Sequence, residues 1–201
     1  MLKTLKSQYR GVFDILGRYW HAYGGGASLL TSPYLHISVA LTALMYPYWR
    51  NSSWWDSALA TLPNLLGFTL AGFTIWLGFG DQKFQKLVSK PSKNGKPTPY
   101  IGVSAGFVHF VVAQLVALIV GLIAKAMSFE LPQDHSLRPI ILTFEPVGHF
   151  FGFLAFMYAL MTILAVTLAV FRTASWSDGL RNQQEALPKP KAFKITKKRK
   201  P

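Results

Sequence analysis

Residues 57–80 read SALATLPNLLGFTLAGFTIWLGFG, twenty-four positions without one ionised side chain. A helix of that length reaches about 36 Å at 1.5 Å per residue, enough to cross a hydrocarbon core of about 30 Å with some tilt. Asp56 stands just before it as an N-cap. A second such run covers Ile101 to about Ala124. A third begins behind Glu145-Pro146, where proline suits the first helical turn, and ends near Phe171. Pro33 to Trp49 is shorter, about 25 Å, adequate for a thin core. The expectation is an all-α polytopic membrane protein with four transmembrane helices at 33–49, 57–80, 101–124 and 147–171.

The rest of the chain fits that frame. Of 201 residues 51% are hydrophobic and only 14% charged, whereas a soluble domain carries about a quarter charged residues. Cysteine is absent, which removes disulfides, thiolate metal sites and palmitoylation. Residues 2–22 place Leu2, Leu5, Tyr9, Val12, Phe13, Leu16, Tyr19 and Trp20 at three- and four-residue steps. Lys3, Lys6, Arg10, Asp14 and Arg18 occupy other faces. This is an amphipathic helix for the membrane interface or, alternatively, for a partner protein. The same scattered charges break the apolar core that a cleavable signal requires. Gly24, Gly25 and Gly26 form a joint, so the units are an arm at 1–26, a transmembrane domain at 27–173, and a tail at 174–201. The tail lacks a periodic apolar face and is expected to be disordered.

Orientation follows from Lys and Arg. The arm, the loop 81–100 (Lys83, Lys86, Lys90, Lys93, Lys96), and the tail together with Arg172 just before it hold eighteen of the 21, all on one side of a four-span fold. Arg50, Arg138 and Lys125 make up the other side. Both termini are therefore expected in the cytoplasm, in a bacterial inner membrane.

Small and polar residues form stripes along three spans. Ala60, Asn64, Gly67, Ala71, Thr74 and Gly78 recur at heptad spacing in the second. Gly102, Gly106, His109 and Ala113 do so in the third, continuing to Ala117, Gly121 and Ala124. Gly148, Gly152, Ala155, Ala159 and Thr162 do so in the fourth. Lipid supplies no hydrophobic drive for helix association, so close packing relies on small residues and interhelical hydrogen bonds. The stripes either hold the four helices of one chain together or face a neighbouring subunit or a cavity. Large residues off these seams, Phe68, Phe73, Trp76, Phe110, Phe151, Phe153 and Phe156, are expected to face lipid or fill gaps.

Polar side chains inside the spans are few: His36, Asn64, His109, Gln114 and His149. His109 lies on a seam about 12 Å into the third span, as a register-fixing hydrogen-bonding group or a protonatable gate. His36 and His149 belong near opposite faces, so one metal site does not collect the three, and no metal or cofactor is expected. No Asp, Glu, Lys or Arg falls well inside a span, unlike ion-coupled transporters. No nucleophile–base pair or phosphate-cradling loop appears, so an enzyme is not expected.

The segment GFTLAGFTIWLGFGD at 67–81 resembles the second span of small bacterial membrane proteins of uncharacterised or phage-defence type. The four-span layout with both ends inside is similar to the membrane subunit of Kiwa-type defence systems. That resemblance implies a homo-oligomeric membrane sensor that recruits a cytoplasmic DNA-binding effector; it implies no particular site residues. Charge placement points to an oligomeric scaffold docking a cytoplasmic protein partner and anionic lipid through Lys83, Lys86, Lys90, Lys197, Lys198, Arg199 and Lys200. Direct nucleic-acid binding is not expected. The alternative is a homo-oligomeric, holin-like pore that depolarises the membrane, which the small seams would allow by closing a ring.

Overall fold

The computed structural model describes residues 2–51, 53–78, 80, 82–90, 96–129, 132, 135, 136 and 138–185. Side chains are described for these except at 2–6, 83, 87, 180, 181 and 183–185. Every regular element among the described residues is helical: α1 (Leu2–Tyr23), α2 (Gly25–Leu30), α3 (Pro33–Leu44), α4 (Tyr46–Asn51), α5 (Trp54–Gly78), α6 (Gln82–Val88), α7 (Pro99–Ala126) and α8 (Arg138–Glu185). Three helices are long and apolar enough to cross a membrane: α5, α7 and the stretch Arg138–Gly179 of α8.

The first expected span is not one helix. It breaks at Met45, giving α3 of 12 residues and the short α4. The Met45 N–H still reaches the Leu41 carbonyl, and the Tyr48 and Trp49 N–H groups both turn back to the Met45 carbonyl. Pro47 has no N–H with which to carry the ladder past that point. At about 18 Å, α3 alone falls short of a hydrocarbon core.

The other ends shift too. α5 starts at Trp54, which puts Asp56 in its first turn rather than at its cap. There the carboxylate suits the helix dipole and pairs with the Lys125 ammonium at 2.9 Å, both side chains exposed. Thr98 caps α7, its hydroxyl accepting from the Ile101 N–H at 3.3 Å. α8 begins at Arg138-Pro139 and runs through Pro146 without stopping. The helix thus starts nine residues before the expected 147, with Pro139 rather than Pro146 in its first turn. An interior proline is tolerated in such helices because neighbouring groups and local adjustment meet the freed carbonyl. α8 also continues past residue 173 to Glu185. Once a helix exists each added residue costs only its own ordering, so Ala174–Glu185 follow without a periodic apolar face. The rest of the expected disordered tail, 186–201, lies outside the described residues. At 48 residues α8 is about 72 Å long and overshoots a 30 Å core by more than twofold.

α7 is the central helix. Gly121 sits beside Ala58 and Leu59 of α5. Gln114 bonds Thr69 of α5 and Thr162 of α8, and Phe107 stacks on Phe73. The residue numbers of α5 and α8 rise as those of α7 fall, so both run antiparallel to it. α3 and α4 lie along α8, with Trp49 edge-on to Phe150. The Trp49 Nε1–H donates to the Thr42 carbonyl at 2.7 Å.

Two apolar clusters hold the bundle. One joins Trp49, Trp54, Ala58, Leu62, Ala117, Phe153, Phe156, Met157 and Ala159. The other joins Trp76, Phe84, Val88, Val103, Phe107 and Val166, and brings α6 of the basic loop against α7. Among the large residues off the seams, Trp76, Phe153 and Phe156 are buried between helices, while Phe68 and Phe151 are exposed. The reason is that tight contacts pair a large ring with a small residue. Gly152 lies under the Trp54 ring, where a Cβ would come within 2.6 Å of two ring carbons.

Candidate functional site

The last turn of α1 folds onto the bundle at His109. Tyr19 and Tyr23 are four residues apart and therefore share a helix face. The Tyr19 hydroxyl lies 2.9 Å from His109 Nδ1, and the Tyr158 hydroxyl of α8 lies 2.7 Å from Nε2. The Tyr23 ring stacks on the imidazole at 3.9 Å between centroids and 15° between planes. Trp20 packs beside it, with centroids 6.4 Å apart. A neutral imidazole donates through one nitrogen and accepts through the other, and each phenol can take the complementary role. Burial, and then the neighbouring Tyr23 phenol, pushes the Tyr19 hydroxyl above its ordinary pKa. It stays neutral and keeps its proton for hydrogen bonding.

Lys125 lies in the last turn of α7, and His109 lies about 24 Å before it along the helix axis. Gly24 then ends α1 in the left-handed region, φ 104°, where a Cβ would strike the Ser28 side chain.

Deeper in the bundle, Gln114 is fully buried between two threonines. Its Nε2 group donates to Thr69 Oγ1 at 3.0 Å and to Thr162 Oγ1 at 3.1 Å. Those hydroxyls donate to the Leu65 and Ala159 carbonyls of their own helices. Every polar atom of the three side chains is thus bonded except Gln114 Oε1, which has no protein partner. An unmet buried acceptor costs about 1–3 kcal/mol, while an interhelical hydrogen bond in a membrane contributes about 0.6 kcal/mol. Gln114→Leu should therefore leave bundle stability unchanged or slightly raised, measured as the denaturing-detergent midpoint of the helical circular dichroism signal. A loss of about 2 kcal/mol or more would mean that Oε1 is satisfied in the membrane.

The other expected residues separate. His36 Nε2 lies 2.8 Å from the Leu30 carbonyl at the end of α2. His149 stands 3.9 Å from Glu145 and edge-on to Trp55. The three histidines have separate partners, and among the described residues no group of three His, Asp or Glu is placed to hold a metal.

On α7, His109, Ala117 and Gly121 are buried, with Gly102, Gly106 and Ala113 half-buried. On α8, Gly152, Ala159 and Thr162 are buried, Ala155 is half-buried and Gly148 exposed. The α5 stripe does the opposite. Ala60, Asn64, Gly67, Ala71, Thr74 and Gly78 are all exposed, while Trp54, Ala58, Leu62, Thr69 and Trp76 make the contacts within the chain. Asn64 reaches only the Ala60 carbonyl of its own helix, at 3.5 Å. Lys86 and Lys90 are exposed in and after α6; the Lys83 side chain and Lys197, Lys198, Arg199 and Lys200 lie outside the described residues.

Sequence reasoning singled out His109 and Gln114 but not their partners. Tyr19 and Tyr23 could have been paired by their four-residue spacing on the apolar face of α1. Thr162 stood on the stripe of the fourth span without being matched to Gln114, and Thr69 and Tyr158 carry no such signal. The arrangement is a set of neutral hydrogen bonds and stacked rings, suited to holding helices in register and docking α1. In comparison with known proteins the chain matches no family model, no curated protein and no solved structure.

Proposed function

We propose that this protein is a homo-oligomeric scaffold or sensor subunit of the bacterial inner membrane that docks a cytoplasmic protein partner through its basic loop and tail. In this reading α3 and α4 together make a fourth crossing, α1 is an interfacial helix, and both termini are cytoplasmic. Anti-phage defence is the setting that the Kiwa-type resemblance implies. The observation carrying the proposal is that α8 leaves the bundle as one unbroken helix to Glu185. Seven Lys and Arg follow between Lys189 and Lys200. The helix links the crossing segment to Glu185 without a break, which suits the passing of a signal between membrane and cytoplasm. α6, anchored by Phe84 and Val88, places Lys86 and Lys90 in and just after the ordered helix of the loop.

Truncation after Glu185 removes the seven tail charges and leaves every crossing helix intact. Each such charge near an anionic surface contributes about 1 kcal/mol, less as salt rises. Pull-down from the native host should lose the partner, while oligomer size stays the same. The exposed α5 stripe favours a second reading, a pore closed by several copies. In cells loaded with a potential-sensitive dye, a pore would depolarise the membrane with or without the tail. Depolarisation by both forms, with no partner recovered by the full chain, would replace the scaffold by the pore.

A further inference from the structure

The apolar face of α1 is used in two ways. In the last turn that face supplies Tyr19 and Tyr23 to His109. In the turns before, the same face carries Tyr9, Val12, Phe13 and Leu16, exposed by 60, 56, 67 and 43%. Arg10, Asp14 and Arg18 stand on other faces and are exposed, and Lys3 and Lys6 precede them in the sequence. The apolar stripe is thus covered by α7 at one end and, among the described residues, by nothing over the rest. With Lys125 taken at one hydrocarbon boundary, a core of about 30 Å ends near Ala105, about one turn beyond His109, so a helix docked on His109 lies at headgroup depth.

We propose that α1 is a lipid-docking lever: the stripe from Tyr9 to Leu16 beds into an anionic leaflet, and the stacking of Tyr19 and Tyr23 on His109 passes its position to α7 and α8. The occupant is lipid because the stripe continues a face that already meets the bundle at the boundary, and because the flanking charge is mainly basic. Such helices bind by buried apolar area together with attraction to anionic headgroups. Gly24 and Gly25, both at positive φ, form the joint about which the lever moves. Tyr158 carries the contact on, since its hydroxyl holds the far side of the same imidazole. The proposal rests on the reading of the chain as a membrane protein. It does not depend on the partner or on which side the termini face.

The absence of cysteine permits a single reporter. Phe13→Cys, in the full chain and carrying an environment-sensitive fluorophore, is reconstituted into vesicles of neutral lipid and into vesicles with about one third phosphatidylglycerol. Brominated acyl chains should quench the label at least threefold more in the anionic vesicles. Site-resolved modification by diethyl pyrocarbonate then reads the latch. In anionic vesicles His109 should react at least fivefold more slowly in the intact chain than in a chain lacking residues 2–17, with His36 unchanged in both. Val12→Asp with Phe13→Asp, which removes no helix, should also speed His109 modification. Equal quenching in the two lipids overturns the anionic leaflet as the site, and no quenching in either, or disulfide cross-linking of two unlabelled Phe13→Cys copies in its place, overturns lipid as the occupant. His109 reactivity that ignores both the deletion and the aspartates overturns the lever.

Discussion

Trp54→Ala should lower the stability of the bundle by about 4 kcal/mol, the cost of emptying a fully buried aromatic site. Trp54 is 0% exposed and lies at the start of α5, edge-on to Phe153 and over the Cα of Gly152. Its ring belongs to the cluster that joins α5 to α7, α8 and α4. The reciprocal change, Gly152→Leu, drives a side chain into space that the ring already fills, and overpacking of this kind costs about 1–3 kcal/mol or more. The two changes are complementary in shape. The double variant should recover part of the loss, giving a coupling of at least about 1 kcal/mol in a double-mutant cycle. The cycle is measured as helical signal against added denaturing detergent. Additive losses would mean that the ring and the glycine do not share one site, and that α5 meets α8 in a different register.

Gly67→Ile should separate folding from assembly. Nothing lies within 4 Å of where its Cβ would stand, so the protomer should accept the branched side chain without loss. Assembly should not. In the proposed oligomer the α5 stripe is the surface that meets a second copy, because lipid tails cannot bond the Asn64 amide, whose own-helix contact is 3.5 Å long. An isoleucine in the middle of the stripe holds the backbones apart. Association should weaken at least tenfold, or about 1.4 kcal/mol. The mass of the solubilised particle should then fall on dilution. Phe68→Ile, one residue away on an exposed position, should leave that mass unchanged. Identical particles for both variants would show that the stripe meets lipid, and would leave α7 and α8 as the seams that matter.

Length and the absence of charge were enough to say that the chain is helical and that 57–78, 101–124 and 147–171 lie in long apolar helices, because an unbroken apolar run has one economical conformation in lipid. Local chemistry also singled out His109 and Gln114 as the polar groups of α7 that need partners. It did not carry the first span, where Pro47 ends a ladder that hydropathy reads as continuous. It also misplaced the start of α8, where Pro146 suits a first turn by itself but Pro139 occupies it. Which face of each helix turns inward was beyond the sequence. Three stripes look alike in one dimension, yet α7 and α8 bury theirs while α5 turns its own outward. The difference is made by Trp54, Leu62 and Trp76, whose large side chains find small partners across the bundle and rotate α5 to meet them. The partners of the polar residues were settled the same way. Tyr19, Tyr158, Thr69 and Thr162 are 45 to 90 residues from the groups they bond, and only the packing of whole helices brings them within hydrogen-bond reach.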